Sequence, residues 1–229
     1  MARRKETNWK KGRRSNFRMP AESHYIFCEG QSTEPNYFKS FQRIIQKDPV
    51  YKNRIYVQIV GCAKSNLTLL QEAVNYVKTN GITRGHVWCV FDKDDFPVDD
   101  FNNSILKVDQ LNKSSSEIRY HSIWSNESFE LWFLLHFERL GTSISRSSYI
   151  TKLEKYLGKQ YKKNSTEMFD LLLSKGSPSF AIKNSISLLK DYGGDVMPSE
   201  KNPATMVHEL VITLSKYFDD AMKESFLGK

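Results

Sequence analysis

The sequence predicts an α/β fold in which a mostly parallel, four-stranded sheet is flanked by helices and followed by a C-terminal helical region. Two observations support this prediction. Up to about Trp124, short apolar runs alternate with segments of helical periodicity, which is typical of repeated βα units. From Ser125 onward only helical periods recur, so we expect the second half of the chain to be helical.

Four strands are predicted before residue 125. Each is a short run rich in apolar, β-branched or aromatic residues. The predicted strands span 24–28, 54–60, 86–91 and 118–124.

Helices are predicted between these strands. Thr33 is expected to cap the first helix, with Pro35 in its first turn. The second follows the strand at 54–60 and is expected to close at Gly81, because glycine tolerates the left-handed conformation at a helix end. The third is predicted over 101–111.

Five more helices are predicted after the fourth strand, with Asn126 as the N-cap of the first. They span 126–140, 149–157, 166–173, 179–191 and 203–222. The segments between them are rich in Gly, Ser and Pro, which favour turns. We therefore divide the chain into a basic flexible arm (1–20), an α/β domain (21–140) and a helical appendage packed on it (141–229).

Most of the net positive charge lies in the N-terminal arm. Residues 1–20 hold eight Lys or Arg and one Glu, which is +7 of the total +8. Such an arm can bind phosphates, and we name Arg13 and Arg14 as candidate nucleic-acid contacts. Lys162 is a third candidate, within a basic patch that includes Tyr161 and Lys163. A solubilising tail and an ordinary charged helical face explain the same residues as well.

Composition excludes several classes of protein. No apolar run is long enough to span a membrane, and no secretory signal is recognisable, so we expect a cytoplasmic protein. Three cysteines without C-x-x-C spacing indicate neither a disulfide framework nor a zinc site. We predict that Cys28, Cys62 and Cys89 are small hydrophobic residues of the core.

Carboxylates follow two of the predicted strands. Glu29 ends the run "YIFCE", and Asp92 and Asp94 follow "VWCVF". The carboxyl ends of parallel strands share one edge of a sheet, so these three side chains should converge. Clustered carboxylates repel unless a cation lies among them, and oxygen ligands suit Mg²⁺ or Mn²⁺. Taken alone, "DKDD" also fits an ordinary turn or helix start, whereas Gly30 beside Glu29 permits a close approach.

Further candidates lie near the same edge. Asp95 extends the acidic motif. Asn126, Glu127 and Glu130 follow the fourth strand, although helix capping and the helix dipole explain them equally well. Lys64, after the second strand, can reach a phosphate or remain solvated. His136 on an apolar face is predicted to be a core histidine.

An acid after the first strand and a D-x-D after a later one resemble the toprim pattern. The motifs "CEGQSTEPNYF", "FDKDDF", "SNESFELWFLLHF" and "NPATMVHELV" resemble the RloB family in particular, from Tyr25 to about Leu214. One departure is Glu127, where such sequences usually carry proline. The resemblance implies a toprim-like fold and a metal-dependent nuclease that acts as an effector of anti-phage defence.

We therefore expect hydrolysis of phosphodiester bonds in RNA, tRNA included, or in DNA, at an Mg²⁺ or Mn²⁺ site. Glu29, Asp92 and Asp94 are the predicted catalytic and metal-binding residues. The resemblance also implies control by an ATPase. Because the sequence contains no G-x-x-x-x-G-K-[ST] loop, we expect that ATPase to be a separate chain. The alternative is a non-catalytic module that binds nucleic acid or a partner in a restriction-linked or defence complex.

Overall fold

A computed structural model describes residues 21–94, 97–114 and 117–228. Its sheet has five strands in the order β2-β1-β3-β4-β5. The strands are β1 (Glu22–Cys28), β2 (Ile55–Gly61), β3 (Gly85–Asp92), β4 (Ile118–Asn126) and β5 (Ala204–Thr205). The first four are mutually parallel and β5 is antiparallel to β4. The predicted α/β class with a mostly parallel sheet is confirmed.

Helices connect and follow the parallel strands. They are α1 (Thr33–Lys47), α2 (Asn66–Thr79), α3 (Val98–Ser114), α4 (Glu130–Leu134), α5 (Arg146–Leu157), α6 (Met168–Lys175), α7 (Pro178–Lys190), α8 (Val207–Ser215) and α9 (Asp220–Leu227). Gly81 has a φ of +61° just beyond α2, as predicted for a helix end. Thr33 is not the cap of α1 but its first residue, and its hydroxyl donates to the carbonyl of Lys163.

The fifth strand, β5, was not predicted from the sequence. Thr205 pairs with Ser125 and Ala204 pairs with Asn126, within a segment predicted to begin the helix 203–222. That helix is interrupted a second time at Asp219, whose carboxylate accepts the backbone N–H of Met222 and starts α9. Strand pairing with residues eighty positions away and a local cap therefore divide one helical pattern into three elements.

The predicted helix 126–140 is also wrong. Strand β4 continues through Asn126, and α4 is a single short segment. Asn126 is consequently not an N-cap: its Nδ2 donates to the carbonyl of Ser199 at 2.9 Å. The extension follows from pairing with β5, which the sequence around residue 126 does not reveal.

Helices cover both faces of the sheet. Alternate strand residues such as Ile26 and Trp88 point to a core formed with α1 and the helices after β4. Their neighbours, such as Phe27 and Cys89, point to a smaller core formed with α2 and α3. Tyr37 of α1 is central to the larger core, where its ring contacts the rings of Phe129, Phe133 and Phe169. This packing fixes the helices after β4 against the sheet.

The cysteines are free thiols. Cys28 and Cys89 are buried, as predicted, whereas Cys62 is partly exposed. No helix in the described part of the chain is long and apolar enough to cross a membrane.

Candidate active site

The three predicted acids line one cavity at the carboxyl end of the parallel strands. Glu29 follows β1, Asp92 ends β3 and Asp94 lies two residues further on. The cavity has a volume of about 300 Å³ and also borders the loop 30–32, the start of α1 and the start of α5. The topology brings the acids together because β1 and β3 are adjacent and parallel.

Glu29 is held in place by the backbone at the end of β3. The N–H of Asp92 donates to Glu29 Oε2 at 3.0 Å, and the N–H of Glu29 donates to the carbonyl of Val90 at 2.9 Å. Burial raises the pKa of Glu29 to about 7, and the bond from Asp92 offsets only part of that effect. Its carboxylate is therefore fixed in position but poorly stabilised as an anion.

Two further carboxylates, Glu34 and Glu130, line the same cavity. Glu34 lies in the first turn of α1 and is 6% exposed, and Glu130 begins α4 and is fully buried. Burial raises the pKa of Glu34, and the charge of Glu130 adds to the effect. Glu34 was not predicted, because a glutamate in the first turn of a helix is common for the helix dipole alone.

Gly30 makes room for Glu34. A Cβ at position 30 would collide with the Glu34 carboxylate. The sequence suggested that Gly30 permits a close approach, and the group that approaches is this side chain. Glycine here allows the acid of α1 to lie beside the loop that follows β1.

Arg146 crosses the centre of the acidic cluster. Its Nη1 donates to both carboxylate oxygens of Asp94 at 2.8 Å, and its Nη2 donates to Glu130 Oε2 at 3.3 Å. Nη2 also lies 3.9 Å from Asp92 Oδ2. Burial alone would lower the pKa of Arg146, but the surrounding carboxylates raise it. The guanidinium is thus permanently charged and bridges three acids.

Arg146 was missed because it lies in a Ser-rich segment interpreted as a linker. The segment starts α5 instead: Ser145 is the N-cap, and its hydroxyl accepts the N–H of Ser148 at 3.3 Å. A single arginine among serines carries no pattern that identifies it as a site residue.

The segment 161–164 closes another side of the cavity. Tyr161 donates its hydroxyl to Glu130 Oε1 at 3.1 Å, and Lys163 borders the cavity. Tyr161 is only 9% exposed, so its predicted place in a surface basic patch is wrong, because its hydroxyl is engaged by a buried acid. Asn36 Nδ2 donates to the carbonyl of Asn164 at 3.2 Å and ties this segment to α1.

Asp92 is the least satisfied acid of the cluster. It is 5% exposed, and its Oδ1 has no hydrogen-bond partner in the described part of the chain. Burial raises its pKa well above the usual range, and the charges of Glu34 and Glu130 raise it further. An unpartnered buried carboxylate oxygen costs free energy, so this position is suited to a cation.

The donor chemistry of the cluster fits Mg²⁺ or Mn²⁺, but its arrangement in this structure is that of a salt bridge. Five carboxylates line the cavity together with the cationic side chains of Arg146 and Lys163. Among residues 21–94, 97–114 and 117–228, no three His, Cys, Asp or Glu side chains are arranged to hold a metal ion. In this arrangement the guanidinium of Arg146 occupies both oxygens of Asp94 and one of Glu130.

The remaining candidates from the sequence lie elsewhere. Asp95, Arg13 and Arg14 fall outside the described residues. Lys64 is exposed in the loop after β2 and does not line the cavity. Lys162 is exposed and borders a second cavity of about 490 Å³.

Asn126 and Glu127, at the end of β4, do not line the cavity. The side chain of Asn126 points to Ser199 and not into the cavity. Glu127 contributes its carbonyl, which accepts the N–H of Asp94 at 3.0 Å. His136 is buried and bonded through Nδ1 to the carbonyl of Trp132 at 3.0 Å, as predicted for a core histidine.

Comparison with known proteins agrees with the motifs. The model of the RloB family, described as RloB-like protein, matches residues 24–214, which is more than half of the chain. No curated protein and no solved structure matches the chain. The matched range runs from β1 to α8 and includes every residue described at the cavity. The chain belongs to the RloB-like protein family.

Proposed function

We propose that the chain is a toprim-like, metal-dependent nuclease that hydrolyses phosphodiester bonds in RNA or DNA. The observation that carries the proposal is the convergence of acids from β1, α1, β3 and α4 on one open cavity. Burying this many carboxylates is costly unless cations compensate them. A catalytic or binding role would explain why the fold retains a buried acidic cluster despite this cost.

Each residue has a role in this proposal. Glu29, Asp92 and Asp94 would hold the ion, and the backbone N–H of Asp92 positions Glu29. The chemistry that Mg²⁺ or Mn²⁺ would supply there is polarisation of the phosphoryl group and a lower pKa for the attacking water. Lys163, exposed at the rim of the cavity, binds a phosphate of the nucleic-acid backbone.

The proposal is tested by incubating the purified protein with tRNA, single-stranded RNA and plasmid DNA, with Mg²⁺, with Mn²⁺ or with a chelator. We expect cleavage of at least one substrate, and only with metal. Glu29→Gln and Asp92→Asn should reduce cleavage by at least about a hundredfold. Glu138→Gln is the matched control, because Glu138 pairs with Lys152 away from the cavity. Undiminished cleavage in both site variants would refute the assignment.

A non-catalytic binding module is the second candidate. The observation that favours it is the salt bridge of Arg146 to Asp94 and Glu130, which gives these acids a structural partner. In that case the protein binds nucleic acid or a partner without metal, and no substrate is turned over under any of the conditions above.

We also propose, from family membership, a cytoplasmic role in anti-phage defence with a separate ATPase that controls the nuclease. A pull-down of the tagged chain from its native host, probed for ATPase activity, tests the partnership. Recovery of the chain alone, fully active, would contradict it.

A further inference from the structure

The acidic cluster contains its own cation. The guanidinium of Arg146 bonds to the carboxylates of Asp94 and Glu130 with both Nη atoms. Asp94 accepts through both oxygens, and Glu130 accepts from Arg146 and from Tyr161. Both oxygens of Asp94, one of the three proposed metal ligands, are therefore already engaged by Arg146.

The same contact leaves two polar atoms unsatisfied. Asp92 Oδ1 and Arg146 Nε are both buried and have no hydrogen-bond partner among the residues that the structure describes. Asp92 is at 3.9 Å from Nη2, beyond hydrogen-bond distance. The guanidinium thus compensates the acids incompletely, since its single charge is shared among Asp92, Asp94 and Glu130.

We propose that Arg146 is an internal competitor of the metal ion, an autoinhibitory contact that must release Asp94 and Glu130 before the ion binds. This inference rests on the proposed function. An ion bound to the oxygens of Asp94 that Arg146 now occupies would lie close to the guanidinium, and the two positive charges would repel each other. A divalent ion carries twice the charge of the guanidinium and can use the unpartnered Asp92 oxygen, so it displaces Arg146 once its concentration is sufficient.

The position of Arg146 allows this exchange. The residue lies in the first turn of α5 and its side chain is 29% exposed, so the guanidinium has a path toward solvent without unfolding of the helix. Released, it offers Nε and an Nη atom together, the bidentate geometry that suits a phosphate. The contact thereby sets the metal concentration at which the site becomes competent.

Metal affinity tests the inference without any nuclease assay. We expect Arg146→Gln to bind Mn²⁺ at least about tenfold more tightly than the wild type by calorimetric titration, and Arg146→Lys to lie between them. Arg139→Gln is the matched control, because Arg139 pairs with Asp191 on an exposed surface, and its affinity should equal that of the wild type. Equal or weaker binding by a folded Arg146→Gln protein would overturn the inference.

A second measurement uses the wild type and avoids any effect of substitution on folding. In ¹⁵N spectra of arginine side chains, the Nε–H signal of Arg146, assigned by its loss in Arg146→Lys, should shift on addition of Mg²⁺ with the midpoint of metal binding. A signal that stays unchanged while metal binds overturns the inference and leaves the proposed function intact. If neither wild type nor Arg146→Gln binds metal, both are overturned.

Discussion

The backbone N–H of Asp92 donates to the carboxylate of Glu29 at 3.0 Å, so the last residue of β3 holds the acid that follows β1. The two residues are 63 positions apart in the chain. Their contact depends on the register of two adjacent parallel strands. The position of Glu29 relative to Asp92 is therefore set by the pairing of β1 with β3.

Replacing Glu29 by glutamine should stabilise the metal-free protein at alkaline pH. The folded pKa of Glu29, about 7, lies above the ordinary 4.5, so the unfolded state releases this proton first and stability falls as pH rises from about 4.5 to 7. At pH 8 we expect Glu29→Gln to raise the free energy of unfolding by about 1–2 kcal/mol, discounted for partial exposure. At pH 5 the gain should be small. Urea denaturation at both pH values measures the difference in the free energy of unfolding from the wild type. An equal increase in the Glu138→Gln control would contradict a cause specific to Glu29.

Acid should destabilise the opposite end of the sheet. Burial lowers the pKa of His24 to about 3, and the nearby His86 and His121 lower it further. The unfolded histidine takes up its proton near 6.5, so the contribution of His24 to stability is lost as pH falls from about 6.5 toward 3. His24→Gln should flatten the dependence of unfolding free energy on pH between 6.5 and 4.5, relative to the wild type. An unchanged slope would show that His24 does not stay neutral in the folded protein.

The hydroxyl of Tyr161 should contribute to stability through Glu130. Tyr161→Phe removes the 3.1 Å bond and leaves an oxygen of a fully buried carboxylate without its donor. We expect a loss of about 1–3 kcal/mol in the free energy of unfolding. The control is Tyr156→Phe, at an exposed position of α5. This substitution should change the free energy of unfolding by less than about 0.5 kcal/mol. Equal effects of the two substitutions would argue against the bond.

Gly30 should not tolerate a larger residue. In Gly30→Ala the new methyl group collides with the carboxylate of Glu34, which must move within a packed site. We expect a loss of about 1–3 kcal/mol. Gly194→Ala is the control, since a Cβ there meets nothing within 4 Å. Alanine also lowers the conformational entropy of the unfolded chain, so this substitution should be neutral or slightly stabilising. Thermal denaturation of both variants tests this prediction. A Gly30→Ala protein as stable as the wild type would show that the Glu34 side chain can move aside.

The parallel strands were predictable because each is encoded locally. The run before Glu29 and the run before Asp92 have the composition of buried strands, and their order along the chain places both acids at one edge. Such predictions need only the residues of the strand itself and the handedness of βα units.

The rest of the site depends on contacts between distant segments. Neither Glu34 nor Arg146 is marked as a site residue by its sequence neighbours. Glu34 lies in the first turn of a helix, and Arg146 lies among serines. They become site residues only after α1 and α5 pack beside the strand ends. The short β5 is similar, because two residues have too little pattern to indicate a strand.

The antiparallel pairing of Thr205 with Ser125 has a consequence for biosynthesis. Until residue 205 has left the ribosome, the end of β4 nearest the cavity has open backbone donors and acceptors, which can recruit strands of other chains. Shielding of that edge therefore has to wait for a segment about eighty residues further along the chain. Chains that terminate early are expected to be the aggregation-prone ones.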